Sequence, residues 1–100
     1  MNRASSQPIL FKFHLYVVGD AQNSIQAIAN LNALCRARLH DQYEIKVVDV
    51  FREPKLALAE GIFMTPTLVK SAPLPTRRIV GNLSQTEVVL QALGLGGDAA

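Results

Sequence analysis

Cysteine is almost missing from this chain: Cys35 is the only one in 100 residues. A lone thiol closes no internal disulfide and anchors no multi-cysteine zinc site, and it fits a reducing compartment. Long apolar runs are missing as well. No stretch reaches the ~18 consecutive apolar residues that a membrane-spanning helix needs. The polar segment from Met1 to Pro8 lacks the apolar centre of a secretory signal. These absences lead to the expectation of a cytoplasmic chain with no membrane partner. Charge is scarce, at 18% of residues where ~25% is usual. The net charge of +2 is too small to draw the chain onto nucleic acid without a clustered patch. There is no G-x-S-x-G elbow and no glycine-rich phosphate loop, and the carboxylates are few and scattered, so serine hydrolysis and nucleotide chemistry have no support. No cofactor is expected.

What is present is enough apolar material, 49% of residues, for one core and one domain. Residues 1–8 and 95–100 read as flexible tails around a domain spanning 9–94. Ile9, Phe11, Phe13, Leu15 and Val17 alternate with Lys12 and His14, which predicts a strand over 9–18. Leu10, Tyr16 and Val18 make its second face partly apolar, as in a strand covered on both sides. Asn23 or Ser24 is expected to cap a helix running to Leu39, with a stripe of Ile28, Leu31, Cys35 and Leu39. Tyr43 to Val50 reads as a second strand, parallel to the first through a helical crossover. Pro54 opens a short helix and Gly61 closes it. A third strand starts at Thr65-Pro66 and a fourth spans Arg77 to Gly81. Ser84 and Glu87 fit a capping box, with Leu83 and Val88 as a hydrophobic staple, for a last helix that Gly94 stops. The resulting order, β-α-β-α-β-β-α, is that of a thioredoxin-like α/β domain, which by itself says nothing about function.

Few residues carry chemistry. A thioredoxin-like redox enzyme holds a thiolate at the start of its first helix, but the loop Gly19-Asp20-Ala21-Gln22 has no cysteine. Cys35 falls within the apolar stripe and reads as a packing residue. His14 and His40 lie in separate elements and do not form a metal set. Asp49 reads as a turn or cap partner. The compact basic feature is Arg77-Arg78, which Arg52, Lys55 and Lys70 could join in space. It reads either as a solvated edge strand or as a surface for acidic protein partners. Pro66, Pro73 and Pro75 crowd ten residues and are the candidates for a conformational switch. Pro66 is expected to be cis.

LYVVG at 15–19, NS at 23–24, VVDVFREPKLA at 47–57, TPTLVK at 65–70 and PLPTRRIVGNLS at 73–84 resemble the KaiB family of bacterial circadian-clock proteins. The likeness runs from Phe11 to Leu93. It implies a non-enzymatic regulator that binds a KaiC-type ATPase and helps to set its phosphorylation state. It also implies two folds. One is the thioredoxin-like binding form. The other is a self-associated ground form, a dimer or tetramer, of order β-α-β-β-α-α-β. Arg52, Lys55, Arg77 and Arg78 are then the expected partner-binding residues, and the thioredoxin-like form is expected for the dilute chain. The sequence departs from the family pattern at Asn82, where the turn often has aspartate, and in KLALAEG, which is less charged than usual. Those departures fit a KaiB-like relative in a stress or signalling pathway, still paired with a KaiC-like ATPase, beside the circadian-timing role that the resemblance implies. The alternatives are a thioredoxin-like redox protein and a KaiB-like sensor module of a histidine kinase.

Overall fold

A computed structural model describes residues 9–95. Of the expected tails, 1–8 and 95–100, all but Leu95 lies outside the described residues. Seven elements follow in order: β1 (Phe11–Val17), α1 (Gln22–Arg38), β2 (Tyr43–Asp49), α2 (Pro54–Ala59), β3 (Thr67–Ala72), β4 (Arg77–Val80) and α3 (Thr86–Ala92). The four strands form one sheet in the order β2-β1-β3-β4. β1 and β2 run parallel from Phe11↔Tyr43 to Val17↔Asp49, as the helical crossover requires. β3 runs antiparallel to β1 and β4 antiparallel to β3. This is the thioredoxin-like order expected from the sequence.

The alternation in β1 determines which side chains meet which helices. Phe13, Leu15 and Val17 join Leu68 of β3, Ala27, Leu31, Leu34 and Cys35 of α1, and Val89, Leu90 and Leu93 around α3 in one core. Tyr16 points the other way and packs with Val48, Val69, Ala57 of α2 and Ile62. The sheet is therefore covered on both faces, but unequally. The 17-residue α1 and α3 share one face, whereas the other carries only the six-residue α2.

Both expected glycine stops form. Gly94 has φ 80, and beyond it the Leu95 N–H donates to the Leu90 carbonyl at 2.7 Å. This is the six-to-one bond of a Schellman ending. Leu95 packs against the core, so the folded domain reaches one residue past the expected limit at 94. Gly61, at φ 70, does the same for α2, with the Ile62 N–H on the Ala57 carbonyl at 2.9 Å.

The helix starts differ from expectation. α1 begins at Gln22 after Ala21, which makes no side-chain cap bond. Ser24 is 1% exposed, and its hydroxyl accepts the Val18 N–H at 3.1 Å, tying the helix to the end of β1 instead of capping it. The buried stripe is Ala27, Leu31, Leu34 and Cys35, and Ile25 stays half exposed. The capping box does not form either. The residue preceding α3 is Gln85, without a cap bond, because the Ser84 N–H donates to Asn82 Oδ1 at 3.0 Å in an Asx turn. Leu83 is buried and Val88 is exposed, so the staple is absent. β3 starts at Thr67, two residues later than expected. Pro66 has no N–H to give and offers its carbonyl to the Gly81 N–H at 2.9 Å. The Thr65–Pro66 bond is cis, as expected, and so are Ala72–Pro73 and Leu74–Pro75.

Leu68, fully buried where β1, α1 and α3 converge, sets the first prediction. Leu68→Ala lowers unfolding stability by about 2–5 kcal/mol in urea titration. Val88→Ala, on the exposed side of α3, changes it by less than about 0.5 kcal/mol.

Candidate functional site

The turn after β1 is where a thioredoxin-like enzyme would place its reactive thiol. Here it is closed by a carboxylate. Gly19 takes φ 44, a conformation that suits glycine, and its N–H donates to Asp49 Oδ2 at 3.1 Å. Asp49 Oδ1 accepts the Phe51 N–H at 2.9 Å. Both oxygens of Asp49 therefore clamp the turns that leave β1 and β2, which is the turn-partner role expected for it. Asp49→Ala frees both turns and lowers stability by about 1–2 kcal/mol, read as a shift of the urea midpoint. An unchanged midpoint would mean the clamp carries no weight.

The remaining candidates for chemistry are dispersed. Cys35 is fully buried, and burial pushes its thiol up to about 12. His14 Nδ1 lies 3.5 Å from the Tyr16 hydroxyl, and burial, followed by the field of Glu60, pushes that phenol up. His40 sits past the end of α1 with φ 54. Among the described residues no three His, Cys, Asp or Glu side chains gather as a metal set. No helix among them is long and apolar enough to cross a membrane.

The thiol gives a second prediction. The folded chain keeps the Cys35 proton to higher pH than the ordinary value of 9.0 for a free thiol. Between pH 9.0 and about 12 the native state thus binds more protons than the unfolded state, so this contribution to stability is full below the window and falls as pH rises through it. At about pH 8 the native chain stays unlabelled by a disulfide reagent and labels rapidly in urea. Fast labelling of the native chain would contradict the burial.

The basic residues do not assemble into one patch. Adjacent strand residues point to opposite faces, and Arg77 and Arg78 follow that rule. Arg78 lies on the α2 face, where its guanidinium donates to the carbonyls of Glu60 and Gly61 and stands 3.6 Å from the Glu60 carboxylate. It fastens β4 to the end of α2. Arg77 pairs in register with Lys70, on the face of α1 and α3. Lys70 is 4% exposed, with its ammonium 5.7 Å from the centre of the Phe11 ring. Burial, then the neighbouring Arg77, pushes its pKa down. Arg52 and Lys55 are exposed where β2 passes into α2, at the far edge of the sheet from β4.

The sequence reading passed over an apolar feature beside Arg78. Phe63 and Met64 are 87% and 61% exposed and Val80 is 54% exposed. They line a cleft of about 130 Å³ with Ile62, Thr67 and Arg78. Phe63 and Met64 belong to no periodic segment. The available signal was two large apolar residues in a turn just before Thr65-Pro66.

Fold and site together define a thioredoxin-like domain whose thiol position is filled by a structural carboxylate clamp and whose accessible features are surfaces. Its backbone resembles mitochondrial thioredoxin 3 of Saccharomyces cerevisiae, with a TM-score of 0.68 and 16% identity over 85% of this chain and 78% of that one. It also resembles the N-terminal domain of Synechococcus elongatus SasA, with a TM-score of 0.63 and 23% identity over 95% of this chain and 89% of that one. At these identities the likeness is one of fold. The KaiB domain family matches residues 14–95. The circadian clock protein KaiB3 of Synechocystis sp. is 44% identical over 81 residues, covering 81% of this chain and 79% of that protein. The chain belongs to the KaiB family of circadian clock proteins.

Proposed function

We propose that this chain is a non-enzymatic regulator that binds a KaiC-type ATPase and modulates its phosphorylation state, in circadian timing or a related stress or signalling pathway. The observation that carries this reading is the 44% identity to a circadian clock KaiB protein across four fifths of the chain. The fully buried Cys35 and the doubly bonded Asp49 weigh against the redox alternative. The sensor-module alternative has only a fold likeness at 23% identity behind it. In this reading Arg52, Lys55, Arg77 and Arg78 contact the partner, and Pro66, Pro73 and Pro75 mark the half of the chain that differs between the binding form and a self-associated ground form.

The experiment is size-exclusion chromatography of the chain with the KaiC-type ATPase of the same source and ATP. Co-elution at micromolar concentration, with a changed phosphorylation level of the ATPase, is expected. Absence of a complex would overturn the reading. Arg77 and Arg78 should behave differently. Arg77→Ala weakens the complex and moves stability by no more than ~1 kcal/mol, as for an exposed charge. Arg78→Ala weakens the complex and also lowers stability by about 1 kcal/mol, because β4 loses its hydrogen bonds to the end of α2. A stability loss with Arg77→Ala and unchanged binding would make that residue structural.

A further inference from the structure

β4 closes the sheet at the edge opposite β2, and its outer side is unpaired among the described residues. The Gly81 N–H donates to the Pro66 carbonyl at 2.9 Å, so these two residues form a hydrogen-bonded pair. Such pairs alternate along an antiparallel ladder. With Val80 opposite Thr67 and Arg78 opposite Val69, the N–H and C=O groups of Arg78 and Val80 point away from β3. They are a short template for an added strand.

Two further observations say what kind of strand fits. The first is the apolar cleft bounded by Val80, Phe63 and Met64. It opens on the α2 face beside the free backbone groups of Val80, where one side chain of an added strand would reach. The second is charge. The hairpin from Thr67 to Val80 carries Lys70, Arg77 and Arg78 and no carboxylate. The carboxylate that meets it, Glu60, is already engaged by Arg78. Arg77 stands three residues from Val80 and faces the other side of the sheet.

We propose that β4 accepts, by strand addition, an extended acidic segment of a protein partner in which an apolar residue and a carboxylate lie three positions apart. The apolar residue sits opposite Val80 and enters the cleft. The carboxylate sits opposite Arg77, an exposed residue whose in-register partner on β3 is another cation, Lys70. The backbone bonds supply affinity, and the two side-chain positions supply specificity. A second copy of this chain fits poorly. Antiparallel β4–β4 pairing would crowd the Arg77-Arg78 pairs of two copies onto one short ribbon with no carboxylate on either strand, and such neighbouring like charges are destabilising. The inference stands apart from the ATPase reading and is tested without it.

The test uses the full isotope-labelled chain and a short synthetic peptide of threonine and valine carrying one leucine and one glutamate three positions apart. Titration followed by NMR should move and protect the Arg78 and Val80 amides. Changing the peptide glutamate to lysine should weaken binding by at least about fivefold. Phe63→Ser, at an 87% exposed position that leaves the core intact, should weaken the leucine peptide and leave an alanine-for-leucine peptide unaffected. The proposal is overturned by any of four results. These are no saturable shift up to about 2 mM peptide, equal affinity for the charge-reversed peptide, shifts centred on Tyr43–Asp49 of the opposite edge, or dimerisation of the free chain through β4.

Discussion

Leu15 and Tyr16 are neighbours in β1, both fully buried, and they belong to different cores. The rest of the structure depends on that double burial. A strand with apolar side chains on both faces must lie inside a sheet with cover above and below, and β1 does, with β2 on one side and β3 on the other. The crossover through α1 then puts β2 parallel to it on the face that α3 later completes. The opposite face is left to α2, which is too short to cover it. Lys12 and His14, in the N-terminal half of β1, together with Glu44, Lys46 and Ser71, line a shallow open groove there. The polar half of the alternation in β1 thus lies beyond the reach of α2.

Most of this was legible because it rests on period and punctuation. The two-residue period of β1, the interval filled by α1 and the glycines at 61 and 94 each act through local backbone chemistry, and each forms as read. The helix starts were not legible, because Ser24 and Ser84 found partners outside their own helices. Ser24 is taken by the end of β1 through the Val18 amide, and before α3 a competing local turn at Asn82, whose carbonyl accepts Asn30 of α1 at 2.8 Å, displaces the capping box. The separation of Arg77 from Arg78 was legible in principle, since the strand period itself sends neighbours to opposite faces. Reading them as one basic pair gave adjacency in sequence more weight than geometry. The exposed Phe63 and Met64 carried no period, and only the fold shows that they line one cleft with Val80.

The functional picture follows from where the fold spends its polar groups. In a redox enzyme of this fold the turn after the first strand holds a reactive thiolate. Here that turn is held shut by Asp49, and the one cysteine sits in the core with its proton retained. In the proposed reading, the side offered to a partner is the one formed by α2, the turn before Thr65-Pro66 and β4. That side carries exposed apolar side chains, arginines on both faces of a short edge strand and backbone groups unpaired among the described residues. The contact regulator proposed above would use such a surface.

Native-state hydrogen exchange of the full chain, alone and with the KaiC-type ATPase and ATP, tests this account most directly. Slow exchange is expected in β1 and α1 of the free chain, fast exchange at the outward amides of Arg78 and Val80, and protection gained on complex formation across residues 52–80. Protection gained only along β2, or no protection at any segment in the presence of the ATPase, would contradict it.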